Sequence, residues 1–157
     1  MKTHIKKLRN PNYIGSWDLM DEDGIIKNKI VTIEDVKNDT VFDGKGGSEE
    51  CTVLHFSGIK PMILNATNIK TICKTLDTPF IEEWIGKKIE LTVKKIKAFG
   101  EMHEALRVVS SDLDMNPSHP KWNGAKKAIQ SKTVTVDAIK KIYNLTEANE
   151  KLLTDAN

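Results

Sequence analysis

KPMILNATNIKTICKTLDTPFIEEWIGKKIELTV, residues 60–93, changes its hydrophobic period twice. Its first residues, KPMILN, read as a short strand. From Asn65 the spacing becomes helical: Ile69, Ile72, Cys73 and Leu76 fall at i, i+3, i+4 and i+7 and so share one helix face. Asn65 or Thr67 can cap the first turn through its side-chain oxygen, and Pro79 stops the helix. FIEEWIG adds one further turn before Gly86, with Trp84 expected in the core. Then Ile89, Leu91 and Val93 restore the two-residue alternation of a strand. A helix therefore interrupts a run of strands, and its place in that run decides the fold.

Upstream, IIKNKIVTIEDV (25–36) is β-branched and partly alternating, which predicts a long first strand. KNDTVFDGKGGSEE is rich in Gly, Asp, Asn and Ser and predicts a long loop over residues 38–49. CTVLHFSG and KPMILN then form a hairpin turning at Gly58–Lys60. Downstream, a turn at AFGE joins the fourth strand to a fifth, MHEALRVV. Strand, long loop, strand, strand, helix, strand, strand is the order of the OB-fold, a five-stranded Greek-key barrel with its helix between strands three and four. The expected class is mainly β (α+β), with the barrel over residues 1–110, a linker over 111–120 and a helical extension over 121–157. Within the extension, Thr135 and Thr146 are the expected N-caps, and no basic recognition helix suggests a helix-turn-helix reader.

The chain has 157 residues, 24 Lys and Arg against 22 Asp and Glu, and a net charge of +2, too mild to imply a polyanionic ligand by itself. No run of apolar residues is long enough for a membrane span and no signal-peptide pattern is read in the sequence, so a cytoplasmic protein is expected, with no membrane partner. Cys51 and Cys73 are read as free thiols.

Local clustering carries the functional expectation. Between residues 87 and 97 five lysines stand against Glu90 alone. If the fourth strand bulges near Lys94, then Lys88, Lys94, Lys95, Lys97 and Arg107 can line one groove across strands four and five and track a phosphate backbone. Stacking on bases needs exposed aromatics, and these are sparse at 6% of residues. Phe99 at the tip of the last hairpin is the leading candidate, followed by Phe42 beside Lys45 in the long loop, then Tyr13 and Trp17. The loop 38–49 is expected to close over the bound strand.

Catalytic patterns are weak, so no enzyme, cofactor or metal is expected. His4, His55, His103 and His119 are scattered; Cys51 and His55 share a strand face but make only half a zinc site. DEDG begins a calcium loop without completing it. GKGGS lacks the spacing and the strand-to-helix context of a phosphate-binding loop.

NPNYIGSWDL, KPMILNATNIKTI, EEWIGKKIELTVKKIKAFGEMHEALRV and HPKWNGAKKAI resemble segments of a family of small phage- and prophage-encoded proteins, over about two thirds of the chain. The resemblance implies an OB-like fold and single-stranded DNA binding in replication or recombination, and it supplies no site residues. The expected ligand is thus single-stranded DNA, with RNA as its close relative, and a phage or host replication protein is the expected partner of the C-terminal helices. The alternative is a protein-interaction module, an adaptor or an inhibitor of a host factor.

Overall fold

Strand β1 (Lys29–Phe42) belongs to two ladders at once. Its first residues pair antiparallel with β4 (Lys88–Ala98), in the register Lys29–Leu91 to Thr32–Lys88. Its remaining length pairs antiparallel with β2 (Ser48–Phe56), from Ile33–Phe56 to Phe42–Ser48, with an irregularity between Ile33 and Asp35. Ile33 is the junction. Its N–H donates to the Lys87 carbonyl (2.9 Å), its carbonyl accepts from Gly86 N–H (2.8 Å), and its side chain is fully buried. The extra residue at Glu34 switches the inward parity of the strand from Val31 and Ile33 to Val36, so both halves of β1 keep an apolar face on one core.

The computed structural model describes residues 2–9, 11–42, 45–110 and 112–155. The chain divides into two units, Met1–Ser111 and Asp112–Asn157. In the first, β3 (Ile59–Ile63) pairs with β2, and β5 (Glu101–Val108) with β4, giving one antiparallel five-stranded sheet in the order β3-β2-β1-β4-β5. Val31, Ile33, Val36, Leu54, Phe56, Met62, Ile89, Leu91, Val93 and Val108 meet Ile72 of helix α2 (Ala66–Thr75) and Trp84 in a single core. The α2 face works as expected, with Ile72 buried and Ile69, Cys73 and Leu76 packed against the core. The Asn65 side chain caps the helix by accepting from Asn68 N–H (2.9 Å). Trp84 is in the core, its indole N–H donating to the Thr78 carbonyl (3.0 Å).

The sheet is open. Among the described residues β3 and β5 share no ladder, so the closed barrel expected from the element order does not form. Both edges are occupied by other groups. β3 is short and carries Pro61, which has no N–H to donate; the Pro61 carbonyl accepts from Ile14 N–H (2.9 Å) of the N-terminal segment. On β5, the buried Asn68 side chain of α2 donates to the Leu106 carbonyl (3.1 Å) and accepts from Val108 N–H (3.2 Å). One side-chain amide thus stands in for the peptide unit of a neighbouring strand.

The expected loop at 38–49 is also corrected: β1 continues to Phe42 and β2 starts at Ser48. The polar side chains that suggest a loop pair across the ladder, Thr52 with Asn38 (3.0 Å) and His55 with Asp39 (2.8 Å). Asp43 and Gly44 of that loop lie outside the described residues.

The second unit packs Met115, Trp122, Ile139 and Leu153 between helices α3 (Trp122–Gln130), α4 (Val136–Lys140) and α5 (Glu147–Thr154). The side chains of Thr135 and Thr146 cap α4 and α5 as expected. The segment expected as a linker belongs to this unit: Met115 N–H donates to the Asn144 carbonyl (2.9 Å), and buried His119 accepts Lys121 N–H at Nδ1 (3.0 Å) with Nε2 on the Asp112 carbonyl (3.1 Å).

Candidate nucleic-acid interface

Beyond the core the β4–β5 hairpin projects as an arm. Its register runs unbroken from Leu91–Val108 to Ala98–Glu101. The bulge expected near Lys94 is therefore absent, and strict alternation divides the expected lysine cluster between two faces. Lys95 and Lys97 continue the row of Ile89, Leu91 and Val93, opposite Glu104 and Met102. Lys88, Lys94 and Arg107 lie on the outer face. All three charges of the arm's β4 strand, Lys94, Lys95 and Lys97, are exposed because no core extends beneath them. They do not converge on one surface, and Glu104 directly across from Lys95 dilutes the positive field on the core-side face.

The outer face retains a basic character. Arg107 is across from Thr92, Lys94 is across from Ala105, and the two cations are diagonal neighbours. Between Lys88 and Lys94, Glu90 accepts a hydrogen bond from the Asn28 amide (3.1 Å), and Asn28 in turn accepts from the Thr92 hydroxyl (2.6 Å). This polar chain ties β4 to the segment leading into β1. Lys88 is half-buried and engaged within the fold.

Phe99 occupies the tip of the arm with a relative exposure of 103%. Phe99 and Gly100 have φ of 53° and 78° and lie between the paired Ala98 and Glu101, the pattern of a two-residue type I′ turn. That turn favours Asn-Gly, and a bulky residue at its first position is a backbone outlier costing about 1 kcal/mol. Phe99 is thus disfavoured both by its backbone and by its exposure to water.

At the end of β1 Phe42 is 78% exposed, across from Ser48 at the tip of the second arm. Lys45 is exposed within the turn and engaged with neighbouring residues. Trp17 and Tyr13 fare differently. Trp17 is half-buried with His4 stacked on it (ring centroids 6.5 Å) and the Lys6 ammonium 5.7 Å from its ring centre. Tyr13 is half-buried in the same N-terminal segment.

Among the described residues no three His, Cys, Asp or Glu side chains gather at metal-binding distance. His55 is bound to Asp39, and Asp21 of DEDG closes its own turn by accepting from Asp23 N–H (3.0 Å) and Ile25 N–H (2.9 Å), with Lys27 at 3.4 Å. The Ile25 N–H chiefly, then the Asp23 N–H and the Lys27 ammonium, against a desolvation that opposes them, hold the Asp21 carboxyl below its ordinary range. No described helix is long and apolar enough to cross a membrane.

Compared with protein-family models, with curated proteins and with solved structures, the chain matches none.

Proposed function

We propose that the protein is a non-catalytic binder of single-stranded nucleic acid, DNA in the first instance, built on an OB-like sheet. The observation that carries the reading is Phe99. A fully exposed aromatic held in a left-handed turn position costs stability, and residues that break a local rule in this way concentrate at functional sites. Its ring is free to stack on any base, since every base offers a π-face. Lys94 and Arg107 on the outer face of the same arm supply phosphate contacts, with Lys88 further along that face. Lys95 and Lys97 give a second, weaker track on the other face, and Phe42 with Lys45 offers a second stacking point at the other arm.

Support for the OB-like reading comes from the strand order, from β1 serving both ladders, and from α2 lying between β3 and β4. The two exposed arms are then the β1–β2 and β4–β5 connections through which OB-folds contact oligonucleotides. Taken with the resemblance to phage-encoded proteins, this reading fits a role in phage or prophage DNA replication or recombination. The interaction-module alternative draws on a separate feature of the second unit.

The test is fluorescence anisotropy of a labelled oligo-dT of about 30 nucleotides, titrated across a salt series. Expected is an affinity that falls steeply with salt and varies little with sequence. Absence of binding by micromolar protein at low salt would remove the nucleic-acid reading.

A further inference from the structure

In the second unit α3 and α4 leave a surface groove of ≈ 690 Å³. Its floor is made of small side chains, Gly124, Ala125 and Ala128 on α3 and Ala138 on α4, and Val134 and Ile142 form its walls. Apart from Lys121 and the Tyr143 hydroxyl, every lining side chain is apolar. Ile142 is 45% exposed there, and a Cβ at Gly124 would meet no atom within 4 Å, so the groove stands open above α3. The nearby charge is mainly basic: between residues 121 and 141 six lysines stand against Asp137, although Lys140 is paired with Glu150 of α5. Lys121 lines the groove, and the exposed Lys127 and Lys141 are each one helical turn from a floor residue, Gly124 and Ala138.

We propose that this groove docks an acidic amphipathic segment of a different protein, a helix that inserts aliphatic or aromatic side chains and sets carboxylates against the lysine rim. Charge complementarity selects a polyanionic occupant, and the apolar floor selects a peptide over a nucleic acid. Trp122 is buried, and Tyr143, the one aromatic that lines the groove, is half-buried with His119 packed against its ring (centroids 5.4 Å), a poorer stacking platform than an exposed ring such as Phe99. An apolar helix face laid into an apolar groove is an established mode of peptide recognition. The proposal concerns the second unit alone and stands independently of nucleic-acid binding by the first.

The test is selection of a displayed random-peptide library on the immobilised full-length protein, with Gly124→Leu in parallel. Gly124→Leu starts from a Cβ that meets no atom within 4 Å, adds bulk at the open side of the groove and replaces a poor helix former, so the melting temperature is expected to hold or rise. Expected are enriched peptides combining Asp or Glu with Leu, Ile, Phe or Trp, bound at least about tenfold more weakly by Gly124→Leu and by Lys127→Glu/Lys141→Glu, while oligo-dT binding is unchanged. No enrichment over the blank support, enriched peptides without carboxylates, or peptides indifferent to Gly124→Leu would overturn the proposal. Self-association in sedimentation equilibrium that Gly124→Leu abolishes would overturn it as well, by assigning the groove to a second copy.

Discussion

Phe99 sets stability against binding within one side chain. Replacing it with Asn, the residue its φ of 53° prefers, removes both the backbone penalty and the exposed ring. Phe99→Asn is therefore expected to raise stability by about 0.5–1 kcal/mol in urea unfolding and to weaken oligo-dT binding by the equivalent of about 1–3 kcal/mol, the usual worth of one stacked base. A variant that is stabilised and binds normally would assign the ring no part in binding. Asn68 is the opposite case, a residue whose loss is purely structural. Asn68→Leu leaves the Leu106 carbonyl and the Val108 N–H without their partner inside the fold, and is expected to cost about 1–3 kcal/mol. An unchanged urea midpoint would mean that another group takes over the β5 edge. At Asp21 the folded carboxyl titrates below its unfolded value, so its contribution to stability is present at neutral pH and lost as the solution is acidified through the carboxylate range. Asp21→Asn is expected to flatten that part of the fall in urea midpoint between about pH 5 and about pH 3; an identical fall in the variant would place the acid sensitivity elsewhere.

At the scale of elements, the register of β4 and β5 decides which cations act together. Lys94→Ala/Arg107→Ala, on the outer face, is expected to lower the slope of log K against log salt by about 1.4, two contacts at about 0.7 each for a single strand. Lys95→Ala/Lys97→Ala, on the other face, is expected to lower it by less; equal effects would mean that the nucleic acid wraps both sides of the arm. The sequence makes α2 legible because a one-sided apolar stripe at helical spacing has few other solutions, and its Asn65 cap is equally local. The core half of β4 is legible for the same reason. Beyond the core that signal vanishes. Residues 37–42 and 48–52 pair as strands while most of their side chains are exposed, so their composition is that of a loop although their backbone is a ladder. The arm of β4 fails in the converse way: three exposed lysines invite a bulge that would gather them, and nothing in the local sequence reports that the register continues unbroken. Phe99-Gly100 is readable as a turn, but its unfavourable φ emerges only from the two-residue loop length that the register imposes.

For the whole molecule, the order of elements in the sequence anticipates a mainly β unit of five strands with a helix between the third and fourth, but not the open sheet in which they pair. Closure depends on long-range edge contacts, and here Pro61 and Ile14 on one side and Asn68 on the other take the places a β3–β5 ladder would fill. The second unit has its own core and its own candidate surface, so the linker expected from two prolines and a polar run is instead packed structure around Met115 and His119. The first unit thus carries exposed aromatics and lysines on arms, and the second an apolar groove with a basic rim. The most direct test of the nucleic-acid reading is the tryptophan emission of Phe99→Trp during titration with oligo-dT, compared with wild type, whose Trp17, Trp84 and Trp122 supply the background. Stacking at the tip of the arm predicts saturable quenching beyond that of wild type, following the anisotropy curve; binding by anisotropy with no added quenching would contradict it.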